Sequence, residues 1–391
     1  MIRFNRNHFF FLALFSFSLL GCPGKFETKP APPPGSFVFG GEGVEAGSHL
    51  LELPDGSILI LGSAKLPGND DYDVQIVKVN PNGTEAWTRN YRNKDREESG
   101  HSIIATSNGY LVVGFSRKSL NPGYKLLLME LDANFDLIKK REISSATFST
   151  RKNSVVGFFN LPNGGYLCAI SMEGVSFLIG ISQDLNLENQ RAFNSQRTSG
   201  KANFITQTKS GEFYIALSFE DSIGFAPRFG KLDANGVLLW TSRLDSVVQA
   251  DAFSLFPLGI SELNNGNLIV SLYSDFAEQV LLELDTAGAL VNTTTLASNP
   301  QYPFLRGQLD GSIALAGYDE YFWGNSDPHQ NFSLSRQDTA ENISFTENFG
   351  GDSKEVLKDM IILQDGRYAL VGNTQSFGKG DSDIFLVLYN R

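Results

Sequence analysis

Four side chains at comparable places in a 391-residue chain are the first that could do chemistry. His49 stands seven residues before Gly56, Asp359 seven before Gly366 and His101 eight before Gly109, and Lys358 adjoins Asp359. An imidazole near neutrality can donate or accept a hydrogen bond, and a lysine beside a carboxylate adds a cation. Three readings stay open for such a group: solvated surface residues, a polar binding patch or a catalytic centre. The matching positions elsewhere are Gly157, Phe204, Gly259 and Phe304, so no ring of one chemistry runs through the chain. His329 completes the histidines beyond the leader.

Two acidic stretches, "GNDDYD" (68–73) and "GKGDSD" (378–383), crowd carboxylates as calcium loops do, but neither has the twelve-residue calcium spacing. Asp73 and Asp383 recur before an apolar run, where a carboxylate accepts backbone N–H bonds from a turn, and no metal is assigned. The chain has no G-x-S-x-G elbow and no H-E-x-x-H. The dinucleotide-like glycine spacing at 41–46 lies between two strands with no helix after it, so it is read as chance. No catalytic residue is assigned.

The two cysteines differ in kind. Cys168, within "YLCAI", has apolar neighbours and is expected to be a buried thiol without a disulfide partner. Cys22 ends a leader in which Arg3 and Arg6 precede the twelve apolar residues of "FFFLALFSFSLL", too few to span a membrane. Leu19-Leu20-Gly21-Cys22 resembles the lipobox of bacterial lipoproteins, which implies a signal peptide at 1–21, acylation of Cys22, and an address on an envelope membrane, the outer membrane foremost. Residues 22–35, "CPGKFETKPAPPPG", carry five prolines and read as an extended stalk of about 40 Å at roughly 3.1 Å per residue. The formal charge of -11 argues against nucleic acid as a partner.

What must position these groups is a repeat. "FGGEGVEAGSHLLELPDGSILILG" (39–62) returns as "FGGDSKEVLKDMIILQDGRYALVG" (349–372). Weaker versions set an Asp-Gly, Asn-Gly or Ser-Gly pair before an apolar run at Gly56, Gly109, Gly164, Gly211, Gly266, Gly311 and Gly366, about 52 residues apart on average. Such pairs mark β-hairpin tips, because both residues tolerate positive φ. Each hairpin leads into another apolar strand and, except in the last unit, a fourth. Second and third strands are apolar on both faces, so each sheet needs cover on both sides, which a radial stack provides. The sequence predicts an all-β, seven-bladed β-propeller over 36–391. The last unit stops after three strands, and Ser36 to Gly41 supplies the fourth and closes the ring. First strands line the channel of such a ring, which would bring His49, His101, Lys358 and Asp359 to one rim.

"FGG" and "DG" phrases ahead of apolar runs resemble the delta-type repeats of bacterial envelope propellers, a resemblance that implies a fold. "NPNGTEAW" (80–87) and "DANGVLLW" (233–240) resemble quinoprotein-like repeats, whose family docks a tryptophan between blades. Here Trp87 and Trp240 hold that position, with Lys139, Arg191, Asn292 and Phe345 elsewhere, so no quinone and no other cofactor is expected. The expectation is a monomeric, lipid-anchored, non-catalytic binding or scaffold protein for a protein or glycan partner. The alternative is a glycan lyase or glycosidase with carboxylates at the channel mouth.

Overall fold

A computed structural model describes residues 29–390, apart from 119–122, 145–152, 173–174, 193, 196–197, 200, 222–223, 234, 245–254, 275–278, 297–300 and 319–329. Cys22 with its leader, and His329, lie outside the described residues. Seven antiparallel four-stranded sheets follow one another along the chain. Blades 1 to 6 span 44–91, 96–143, 153–192, 201–243, 255–296 and 301–349. Blade 7 takes three strands from 355–389 and its outermost, Ser36–Phe39, from the start of the chain. Phe39 pairs with Ile384 and Ser36 with Val387. The ring therefore closes as the repeated end phrases predict. A two-residue hairpin, Asn194–Ser195 with Thr198–Ser199, sits between blades 3 and 4.

The hairpin tips differ from the expectation in one respect. At Leu53 to Ser57 the Leu53 N–H donates to Ser57 O (2.8 Å) and Gly56 N–H to Leu53 O (2.9 Å). Among the described residues no tip Asp, Asn or Ser has positive φ; Gly56 alone takes it there, at 77°. This is a turn closed by a glycine bulge. Asp55 instead accepts the Ser57 N–H (3.0 Å) and its hydroxyl, which holds the carboxyl down to about 2.

Second and third strands are buried along nearly their whole length, as in Ile58–Lys65 and Asp383–Tyr389. Burial on both faces follows from stacking: the apolar clusters are wedges between neighbouring blades, and the wedge between blades 7 and 1 holds Phe39, Leu50, Ile60, Val371 and Leu386. Cys168 is fully buried in the wedge between blades 2 and 3, and burial pushes its thiol well up, which makes it an inert core group.

Fourth strands of six blades also dock on the next blade. Trp87 lies 4.8 Å from Phe135, and Trp240 and Phe37 lie over Gly288 and Gly83, where a Cβ would stand 2.7 Å and 2.0 Å from the ring atoms. Lys139 Nζ donates to Asp184 O (2.9 Å), Asn292 Nδ2 to Glu341 Oε1 (2.7 Å), and Phe345 packs on Tyr389. In blade 3 the register gives this place to Asn189, opposite Gly180, rather than to Arg191. The turn before Asn189 begins at Ser182, whose N–H donates to Asn186 O as the Asp132 N–H does to Asp136 O, and so starts two residues before Asp184, the position that points to Arg191. Phe135 takes positive φ (66°) in its turn, and stacking on Tyr110 at 4.5 Å offsets that strain.

Candidate functional site

First strands of adjacent blades touch all round the ring and enclose a cavity of about 600 Å³. His49, His101, Lys358 and Asp359 all line it, so the structure brings the four sequence-selected residues together. They do not lie at strand starts, however. His49 is the sixth residue of Val44–Glu52, and Asp359 the fifth of Glu355–Ile362.

A β-bulge in every first strand explains their placing. Pairing jumps from Gly47↔Gly62 to His49↔Leu61, from Gly100↔Gly114 to Ser102↔Val113, and from Leu357↔Gly372 to Asp359↔Val371. Ser48, His101 and Lys358 are thus the extra, unpaired residues, and a bulge re-aims the side chain it carries. His101 is the counterpart of Lys358, whereas His49 is the counterpart of Asp359. The bulge drives a backbone carbonyl onto the second strand: a Cβ on Gly372 would stand 1.8 Å from Val356 O, and one on Gly114 1.8 Å from Ser99 O. The final glycine of the repeated phrase is the sequence trace of that bulge.

Asp359 is a seam residue rather than a solvated one. It is 7 % exposed, and its carboxylate accepts N–H bonds from Leu50 in the neighbouring blade (2.9 Å) and from Met360 (2.8 Å). Arg306, not selected from the sequence, places Nη2 3.5 Å from Asp359 Oδ1. His49 Nε2 lies 3.9 Å from Asp359 Oδ2. Burial lowers the His49 pKa, the Asp359 carboxylate opposes that, and Arg306 adds to it. His101 rests edge-on against Phe115 at 5.2 Å, and burial together with the Lys358 ammonium lowers it to about 4. Both imidazoles are neutral at pH 7. A proton-resonance titration is expected to show His101 uncharged down to about pH 4, and a midpoint near the ordinary 6.5 would mean that the channel is wetter than this geometry.

The wall is mixed. Blades 6, 7, 1 and 2 contribute Arg306, Lys358, Asp359, His49 and His101 to the lining, and blades 3, 4 and 6 contribute Phe159, Phe204 and Phe304. Glu262, also missed in the sequence, accepts the Lys209 N–H (2.8 Å). No sequence signal singles out Arg306 or Glu262, because their partners lie 53 residues away in both cases. Among the described residues no group of three or more His, Cys, Asp or Glu is arranged to hold a metal.

Fold and wall together define a seven-bladed β-propeller whose channel is lined by both polar and aromatic side chains. No protein-family model and no curated protein sequence matches the chain. Solved structures similar to it include polysaccharide lyase Uly1 (TM-score 0.53, 10 % identity, 88 % of this chain and 90 % of that one). The AfRom2 CNH domain is similar at TM-score 0.52, 10 % identity, 91 % of this chain and 99 % of that one. Puromycin hydrolase matches at 0.51 and 13 %, over 86 % of this chain, which spans only 50 % of the hydrolase. At such identities the likeness shows the propeller fold.

Proposed function

We propose that the protein is a non-catalytic binding propeller, held on a bacterial envelope membrane by a lipid on Cys22, whose channel receives an acidic glycan. The observation that carries this reading is the mixed lining of the channel. Lys358 and Arg306 suit a carboxylate, the neutral imidazoles suit hydroxyls, and the phenylalanines suit the apolar face of a sugar ring. Both described carboxylates of the wall, Asp359 and Glu262, are engaged by backbone N–H groups, which disfavours a glycosidase pair.

The path of the stalk supports an outward-facing mouth. Lys29 Nζ donates to Gly380 O (2.6 Å), in the loop between the second and third strands of blade 7, and Gly35 O accepts from Leu388 N–H at the other end of that third strand. The cavity is lined mainly by the later halves of the first strands, which lead to the face away from Lys29. A tether ending at Cys22 leaves on the side opposite the mouth.

A second reading, a lyase, draws on one arrangement: a neutral His101 beside the Lys358 cation could take a proton next to a neutralised carboxylate. One experiment separates the two. Binding of an oligouronate, followed by calorimetry, is expected to weaken about tenfold or more in His101→Ala/Lys358→Ala, at unchanged melting temperature, with no unsaturated product. Accumulating unsaturated product would establish the lyase, and equal binding by parent and variant would remove the channel from the function. Separately, Cys22→Ser is expected to lose labelling by a clickable fatty acid, and label retained on the variant would overturn the anchor.

A further inference from the structure

Three seams of the ring bury a glutamate at the same place. The N–H of Glu98, Glu45 and Glu355 each donates across the seam, to Tyr72 O (2.7 Å), Ser382 O (2.8 Å) and Gln330 O (2.7 Å) respectively. Their exposures are 0 %, 1 % and 0 %. The residue after each acceptor, Asp73, Asp383 or Asn331, starts a third strand or precedes it and turns its side chain toward the seam.

One of these seams pairs its glutamate with a cation, and another binds it by hydrogen bonds alone. Between blades 1 and 2, Lys140 Nζ lies 2.5 Å from Glu98 Oε2, Asn93 Nδ2 donates to Glu98 Oε1 (3.0 Å), and Asp73 accepts the Asn93 N–H (2.9 Å). Between blades 6 and 7 the second acid is replaced by Asn331, and Glu355 accepts from Thr374 Oγ1 (2.7 Å) and Gly351 N–H (3.3 Å).

The seam between blades 7 and 1 keeps both acids and has no such cation. Asp383 Oδ2 accepts the N–H groups of Lys379 and Gly380, each at 3.1 Å, and Glu45 is bonded by the Gly41 backbone. Glu45 Oε2 and Asp383 Oδ1 are buried with no hydrogen-bond partner, each in a residue 1 % exposed. Both face the space over Gly40, where a Cβ would stand 2.2 Å from Asp383 Oδ1 and 2.9 Å from Glu45 Oε2. They are thus no further apart than the roughly 5 Å that one calcium ion, at 2.3–2.6 Å from each, can bridge. Lys29 and Lys379 are the cationic groups that act on Asp383. The Lys29 ammonium is spent on the Gly380 carbonyl, and neither lysine makes an ion pair with either acid.

We infer that Glu45 and Asp383 form a site for a hard divalent cation, calcium by its all-oxygen ligands, at the seam that closes the ring. The ion takes the place that the Lys140 ammonium holds between blades 1 and 2. It neutralises two buried carboxylates that otherwise lie unpaired in a desolvated seam or must share a proton.

The test is carried out on the whole chain, stripped with a chelator. Titration with calcium chloride at pH 7.5 is expected to show one ion bound per chain and a rise of several degrees in melting temperature. In Glu45→Gln/Asp383→Asn the rise is expected to vanish, with the variant melting no lower than the stripped parent. The site is overturned if neither calcium nor magnesium binds the parent, which would leave the two carboxyls to share a proton. It is equally overturned if parent and variant respond alike, which would place the ion elsewhere.

Discussion

A chain beginning at Glu42 is expected to melt far below one beginning at Lys29, and to aggregate. Removing Ser36–Phe39 strips the outer strand from Asp383–Tyr389 and leaves that edge bare for another chain to pair with. Phe39, 6 % exposed, leaves the apolar wedge between blades 7 and 1, and Phe37 leaves its dock on Gly83. At about 2 kcal/mol for each buried ring and roughly 1 kcal/mol for each ladder bond, the loss is about 5 to 8 kcal/mol. That rivals the net stability of a typical domain. The same cut removes Gly40 and Gly41 from the Glu45 carboxylate. A chain beginning at Gly35 keeps the Leu388 N–H bond to Gly35 O and loses the Lys29 contact and the Ser36 N–H bond to Pro33 O, so it is expected to melt within a few degrees of the longer one. Coincident melting curves and monomeric elution for the Glu42 and Lys29 chains would mean that the ring is not held closed by this strand.

Lys140→Met is expected to be the most damaging single substitution at a seam. It leaves Glu98, with no exposed surface, as a buried carboxylate facing the vacated ammonium position. Breaking a buried pair from one side costs about 3–5 kcal/mol, and the lower end applies here because Asn93 still donates to Glu98 and Lys140 is partly exposed. Lys140→Met/Glu98→Gln is expected to recover most of that loss, since no charge is then stranded. Denaturant unfolding of the two variants measures both steps. A double variant no more stable than the single one would show that Lys140 contributes by packing its stem rather than by its charge.

The blades were legible because their causes are local. A glycine in a tight turn, an acceptor side chain two residues before the N–H it caps, and strands apolar on both faces all act within about ten residues, as the turn at Asp55 shows. Repetition of those signals at a steady spacing required stacking, and a three-stranded last unit beside an orphan first strand required closure. In blade 3 Asn189, not Arg191, holds the fourth-strand register position because the turn starts at Ser182, where blades 2, 4, 5 and 6 carry an aspartate, and the nearby Asp184 mimics that signal two residues late.

The amino-acid sequence by itself determined that this protein is a ring of seven sheets, where the ring closes, and that His49, His101, Lys358 and Asp359 share a channel. Tertiary structure alone decided what each of them does there. One extra residue in each first strand swings His101 and Lys358 into the cavity and sends Asp359 to bind the Leu50 N–H of the next blade, because a shift of one residue along a strand reverses the face of every side chain. It likewise set Glu45 against Asp383 but Glu98 against Lys140. Contacts that arise only when the ring closes join residues more than 300 positions apart, and no spacing along the chain encodes which atoms will meet across that seam.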